Sequence, residues 1–219
     1  ANTTSGFSIV KYVGNASAGA TIGHGLGVVP KMIIVKKLNG SPNWGVYHAS
    51  TTDFRYYLEL NTTAATVLDS AVFDNVPTSS TFLVGSDNKT NGSGGDYIAY
   101  CFAEKQGFSK FGSYTGNGSA TDGTFIYLGF KPAFVMIKNT TTSGKEWVMH
   151  DNKRNPHNPT NKELVANGSN AEYDDTRFDF LSNGLKIKDN ASYVNTSGDT
   201  YIYMAFAENP FVTSTGVPA

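Results

Sequence analysis

Pro30-Lys31-Met32-Ile33-Ile34-Val35-Lys36 and Pro132-Ala133-Phe134-Val135-Met136-Ile137-Lys138 decide how this chain reads. Each is an apolar, β-branched run of strand length. Each opens with a proline, which suits a first strand position because proline has no N–H to give to a ladder. The two segments are not the only pair. Gly6-Phe7-Ser8 returns as Gly107-Phe108-Ser109, and Tyr12-Val13-Gly14-Asn15 returns as Tyr114-Thr115-Gly116-Asn117. Trp44 and His48 are matched by Trp147 and His150. Tyr97-Ile98 and Phe102-Ala103-Glu104 are matched by Tyr201-Ile202 and Phe206-Ala207-Glu208. A period of roughly 100 residues is too long for a solenoid repeat and is the length of a small domain.

The expectation is an all-β chain made of two tandem antiparallel β-sandwich, jelly-roll-like domains that arose by internal duplication. The first repeat is placed at 1–105, the second at 106–212, and a flexible tail at 213–219, with the join near Lys105-Gln106. Tyr97 to Ala103 and Tyr201 to Ala207 alternate large and small residues as strands do. Phe178-Asp179-Phe180-Leu181 and Leu185-Lys186-Ile187-Lys188 flank Asn183-Gly184, a strong hairpin signal because such a turn favours positive φ. Gly, Asn and Ser clusters punctuate the chain at sandwich-like spacing. No long segment carries a helical period. Ala64 to Leu68 and Lys162 to Ala166 are expected to form one helical turn at most.

Composition narrows the function. Charged residues are only 16% of the 219, while 20 Asn, 19 Ser and 23 Thr supply the polarity, with 23 Gly beside them. A net charge of −1 gives no broad basic field for phosphate, so no nucleic-acid partner is expected. The longest apolar runs fall far short of a membrane span. Ala1 to Ser5 shows no cationic segment leading into an apolar core, and the absence of an initial Met predicts a processed chain or a piece of a longer one. One cysteine, Cys101, excludes an intramolecular disulfide. Its apolar strand context, Tyr97 to Phe102, predicts a buried, inert thiol.

No catalytic constellation is legible, and the chain is read as a non-enzyme without cofactor or metal. His24, between Gly23 and Gly25, lacks the Lys-Ser/Thr and the helix of a phosphate loop and is expected to be a solvent-facing turn residue. Glu104 and Glu208 fall at equivalent places in separate repeats, so they do not flank one bond as glycosidase carboxylates must. Glu172, Asp174, Asp175 and Asp179 lack the ligand spacing of a calcium loop and are read as a solvated loop. Binding is the better prospect. Aromatic faces near polar loops suit stacking on sugars, and a loop that breaks the repeat, Asp151 to Pro159, is the better place for specific function. The candidate ligand-binding residues are Trp44, Tyr47, His48, Trp147, His150, Asp151, Arg154 and His157. The competing reading for the aromatic residues is that they fill the cores.

The blocks at Gly6 to Ser8, Gly23 to Lys36, Trp44 to His48 and Tyr97 to Glu104, with Ala207-Glu208-Asn209-Pro210-Phe211, also resemble a known pattern. They are similar to an uncharacterised β-rich domain found in virion proteins of marine tailed bacteriophages, often in tail-fibre or related structural proteins. The resemblance implies a place in the virus particle and a structural or host-recognition role, and it carries no catalytic residues. The expectation is a tail-fibre or receptor-binding module on the particle surface. Its partners would be other virion proteins and a host-surface glycan or protein, and it would assemble as a homo-oligomer, a trimer being favoured. The alternatives are a capsid decoration protein and a secreted carbohydrate-binding module.

Overall fold

The computed structural model describes residues 1–209, so the expected tail at 213–219 and the domain end at 212 lie outside the described residues. Regular secondary structure among these residues is entirely β, and every strand pairing is antiparallel. The chain divides into two compact units, Ala1–Glu104 and Lys105 onward.

The first unit holds β1 (Phe7–Val13), β2 (Ala20–Gly23), β3 (Met32–Lys37), β4 (Gly45–His48), β5 (Tyr56–Glu59), β6 (Val67–Leu68), β7 (Phe73–Asn75), β8 (Thr81–Val84) and β9 (Asp96–Phe102). They form a six-stranded sheet in the order β1-β9-β3-β4-β5-β6 and a three-stranded sheet in the order β2-β8-β7. One core cluster draws on both sheets, with Ile33, Val35, Tyr47, Tyr57, Tyr97 and Cys101 from the first and Phe73, Phe82 and Val84 from the second.

The second unit holds β10 (Ser109–Thr115), β11 (Phe125–Tyr127), β12 (Pro132–Asn139), β13 (Trp147–Asp151), β14 (Thr160–Val165), β15 (Tyr173–Leu181), β16 (Gly184–Ile187) and β17 (Thr200–Ala207). Here the expectation of two packed sheets needs correcting. All of these strands join one eight-stranded sheet, β10-β17-β12-β13-β14-β15-β16-β11. Tyr114 on its first strand and Ile126 on its last enter the same core cluster, and Thr124 Oγ1 donates to Thr115 O at 2.9 Å, so the sheet is nearly closed and barrel-like. The cause is the length of β15. Its nine residues pair with β14 at one end and β16 at the other, whereas β6 and β7 are two short strands separated at Asp69–Val72. Apart from that break the strand order of the two units is the same.

Several local expectations also change. Lys162 to Ala166 forms most of β14 and its edge, and Val67–Leu68 forms β6, so neither segment makes a helical turn. The hairpin at Asn183-Gly184 exists, but Leu181 pairs with Gly184, so the turn residues are Ser182 and Asn183. Neither Ser182 nor Asn183 has positive φ. Gly184 is required for another reason: a Cβ there would lie 2.1 Å from Ile126 O on the neighbouring strand.

The same side-chain clasp closes both units. Tyr12 stacks on Tyr97 with ring centroids 5.2 Å apart, and Tyr114 stacks on Tyr201 at 5.0 Å. Tyr12 Oη donates to Thr90 O at 2.6 Å and Tyr114 Oη to Val194 O at 2.7 Å. Tyr97 Oη donates to Asn88 O and accepts from Gly92 N; Tyr201 Oη donates to Ser192 O and accepts from Thr196 N. These hydroxyls bury with their partners satisfied, which is why tyrosine rather than phenylalanine stands there.

Candidate functional site

The ladder registers show where the two units differ. Ile33 lies opposite Tyr47, and Val135 lies opposite His150. By register, therefore, His150 corresponds to Tyr47, and His48, opposite Met32, corresponds to Asp151, opposite Phe134. The pairing of His48 with His150 read from the sequence is one residue out, because the turn between β12 and β13 is one residue longer than that between β3 and β4: Val35 faces Gly45, whereas Ile137 faces Val148. Further along the ladder, Gly45 pairs with Glu59 and Val148 with Val165, which sets Tyr57 against Glu163. Phe73 pairs with Val84 and Phe178 with Ile187, which sets Val72 against Arg177. Where the first unit buries Tyr47, Tyr57 and Val72, the second buries His150, Glu163 and Arg177.

These three form a connected network at the floor of the second unit. His150 Nε2 lies 3.1 Å from Glu163 Oε2, and Arg177 Nε donates to the same oxygen at 2.8 Å. Arg177 Nη2 donates to Asp175 Oδ2 at 2.9 Å and Nη1 to Asp189 Oδ2. The His150 ring meets Phe178 edge-on at 4.8 Å, as Tyr47 meets Phe73 at 5.9 Å in the first unit. Burial holds the His150 pKa below its ordinary value, against the pull of the Glu163 hydrogen bond and charge. The neutral ring that results donates from Nε2, leaving Nδ1 buried with no partner among the described residues. For Glu163 burial acts to raise the pKa, but the bonds from His150 and Arg177 and their charges outweigh it and hold the carboxyl low.

Beside this network opens a pocket of about 150 Å³, lined by Glu146, Glu163, Val165, Tyr173, Asp175, Arg177 and Tyr193. Glu146 is fixed by Asn167 Nδ2, and Asn167 Oδ1 in turn accepts from Trp147 N at 2.8 Å. The first unit repeats the second of these bonds, with Asn61 Oδ1 accepting from Trp44 N. It places neutral Asn43 before that Trp where the second unit has Glu146. Thr90 and Val194 accept equivalent bonds, so Lys89 stands at the position of Tyr193. Lys89 Nζ lies 5.4 Å from the Tyr57 ring centroid, 3.6 Å from Asp87 and 3.9 Å from Glu59.

The residues expected to bind ligand divide by exposure. Tyr47, His48, Trp147 and His150 are 5%, 0%, 1% and 0% exposed, so none presents a face to an incoming sugar. Burial in the strands of two cores is the physical reason. Trp44 is half-buried, with Lys36 Nζ 5.4 Å from its ring. Asp151 and Arg154 are tied together, Nε to Oδ2 at 2.6 Å, and Arg154 Nη1 also reaches Glu172 Oε2 at 3.0 Å. His157 is exposed on the same loop. Trp44, Tyr47 and His48 belong to the first unit and the other five to the second. Glu146, Glu163, Tyr173, Arg177 and Tyr193 carry no signal in the sequence, because their convergence is set by register between strands distant in sequence.

Other candidates resolve plainly. His24 is 1% exposed, not solvent-facing: Nε2 lies 3.1 Å from Thr78 O, and Nδ1 accepts from Leu26 N at 3.2 Å. The acidic run lies on and beside β15 rather than in a loop, and it is ion-paired. Asp174 meets Lys162 at 2.7 Å, and Asp179 meets Lys188 at 3.6 Å. Among the described residues no group of three His, Cys, Asp or Glu could hold a metal ion. No helix of the described residues is long and apolar enough to cross a membrane. Cys101 is fully buried, and burial pushes its thiol up to about 12.

Fold and site together define an all-β chain of two units, of which the first buries Tyr47, Tyr57 and Val72 where the second buries an ionic network beside a polar pocket. The chain belongs to the family of a domain of unknown function, DUF7483, whose model matches residues 1–210 and so spans both units. No curated protein and no solved structure matches it.

Proposed function

We propose that this chain is a non-catalytic structural protein of a bacteriophage particle, in which the second unit contacts a host-surface glycan. The observation that carries the binding half of this reading is the asymmetry between the units. One scaffold, with one strand order and one tyrosine clasp, buries Tyr47, Tyr57 and Val72 in the first unit and His150, Glu163 and Arg177, beside a polar pocket, in the second. A duplicated scaffold that is modified in one copy supports specialisation of that copy, because the other copy already meets the needs of the fold. We read the two units as products of that duplication. The particle location rests on the sequence resemblance to phage virion domains. A composition rich in Asn, Ser, Thr and Gly with little net charge suits an exposed module of such a particle.

Immunogold labelling of purified particles tests the location: label at the tail supports a tail-fibre module, label over the shell makes it capsid decoration, and unlabelled particles overturn the reading. The sedimentation mass of the isolated chain separates the expected trimer from a monomer. A glycan array probed with the chain tests the binding half, and an array without signal removes it.

A further inference from the structure

We propose that the pocket of the second unit binds a primary ammonium group, presented by an amino-sugar residue of a surface glycan. This rests on the reading of that unit as the ligand-contacting half and names the ligand chemistry. Three carboxylates, Glu146, Glu163 and Asp175, face one guanidinium in the lining. That guanidinium is already committed, since each nitrogen of Arg177 bonds a carboxylate. The pocket therefore repels phosphate and carboxylate ligands and attracts a cation. Glu163 uses Oε2 for both His150 and Arg177, and Oε1 takes no hydrogen bond from a described residue, so it is left to accept from a ligand.

The first unit supplies an internal precedent. At the corresponding place the chain puts its own ammonium, Lys89, between Asp87, Glu59 and the ring of Tyr57. The second unit has Tyr193 in place of that lysine, and the ring of Tyr193 already stands near Lys145 at 5.8 Å and Arg177 at 5.7 Å. With Lys138, whose charge acts on Glu146, these make three cations, against four carboxylates when Asp189 is counted with Glu146, Glu163 and Asp175. Tyr173, 38% exposed, offers an aromatic face at the rim for the sugar ring. At about 150 Å³ the pocket is smaller than the roughly 300 Å³ and above of drug-sized sites, which suits a single head group rather than an oligosaccharide.

The test is calorimetric titration of the full chain with glucosamine, N-acetylglucosamine, glucose and methylammonium. Saturable binding of glucosamine, with the other three at least about tenfold weaker, is the expected result. Tyr193→Lys, which restores the lysine of the first unit, should abolish binding while the melting temperature holds. Glu146→Gln, at a half-buried position, should weaken binding by about tenfold. If N-acetylglucosamine or glucose binds as well as glucosamine, the ammonium proposal is overturned while glycan binding stands. Methylammonium binding equal to glucosamine overturns the amino sugar. No binding of any of the four, with a positive glycan array, overturns the pocket and leaves the broader reading intact.

Discussion

Asn91 and Asn15 hold each other by reciprocal bonds: Asn15 N donates to Asn91 Oδ1 at 2.9 Å, and Asn91 Nδ2 donates to Asn15 Oδ1 at 3.1 Å. Asn91 Nδ2 also reaches Ser17 O and Gly85 O. Asn195 and Asn117 repeat the arrangement, with Ser119 O and Asp189 O as the further acceptors. Both central residues are almost fully buried, so truncation removes several bonds to part-buried backbone groups at once and, in the first unit, leaves buried Gly85 O without its side-chain donor. Asn91→Ala and Asn195→Ala should each cost at least about 1–3 kcal/mol, the penalty for one buried group left unsatisfied. Urea denaturation measures this. A cost below 0.5 kcal/mol in either unit would show that the clasp is dispensable.

The single cysteine offers a reporter specific to the first unit. Cys101 lies at 0% exposure on β9, and its thiol titrates far above neutral pH because it is buried. A thiol reagent at pH 8 should react with it only through opening of that unit. Asn91→Ala should speed the reaction, and Asn195→Ala should leave it unchanged if the units open independently. Immediate stoichiometric labelling of the native chain would contradict the burial.

Acid should weaken the second unit first. His150 has a folded pKa below its ordinary 6.5, so the unfolded chain binds the proton more readily. Its contribution is complete above pH 6.5 and is lost as pH falls toward the lowered folded value. Glu163, held below its ordinary 4.5, contributes fully above that pH and loses its contribution as pH falls through the folded value. Both act in the same direction, so stability should fall from pH 7 to pH 4. His150→Tyr should flatten the part of that profile nearest pH 6. An unchanged profile would mean that His150 does not titrate on unfolding.

What the sequence made legible was whatever depends on local pattern. The β class, the matched strands at Met32 and Phe134 and the paired tyrosines all follow from runs and repeats a few residues long. The closure of the second sheet did not, because it depends on β15 continuing through an acidic run that reads as loop. Asp174 and Asp175 tolerate a strand only because Lys162 and Arg177 neutralise them from neighbouring positions. The site was legible least. His150 is visible as a repeated residue, but its counterpart by register is Tyr47; the longer β12–β13 turn moves the match by one, and the only local trace is that His48 follows Trp44 by four residues while His150 follows Trp147 by three. Glu163 and Arg177 had no signal of their own; they gain meaning only when the register sets them against Tyr57 and Val72.

That correspondence permits a direct test of the ionic network. Arg177→Val alone leaves Glu163 buried without its guanidinium partner and releases Asp175 and Asp189, and breaking such a buried pair costs about 3–5 kcal/mol. Replacing the whole set by its first-unit counterparts, His150→Tyr with Glu163→Tyr and Arg177→Val, removes both buried charges of this network together, leaving Lys138 in place. Buried ion pairs exchanged for well-packed apolar groups are often neutral or stabilising by about 1–4 kcal/mol. The first unit shows that this fold accommodates Tyr47, Tyr57 and Val72 at these places. The triple variant should therefore melt well above the single Arg177→Val variant despite carrying more changes. If instead the three substitutions add to a larger loss, the positions are not equivalent, and the reading of the second unit as a modified copy of the first fails with them.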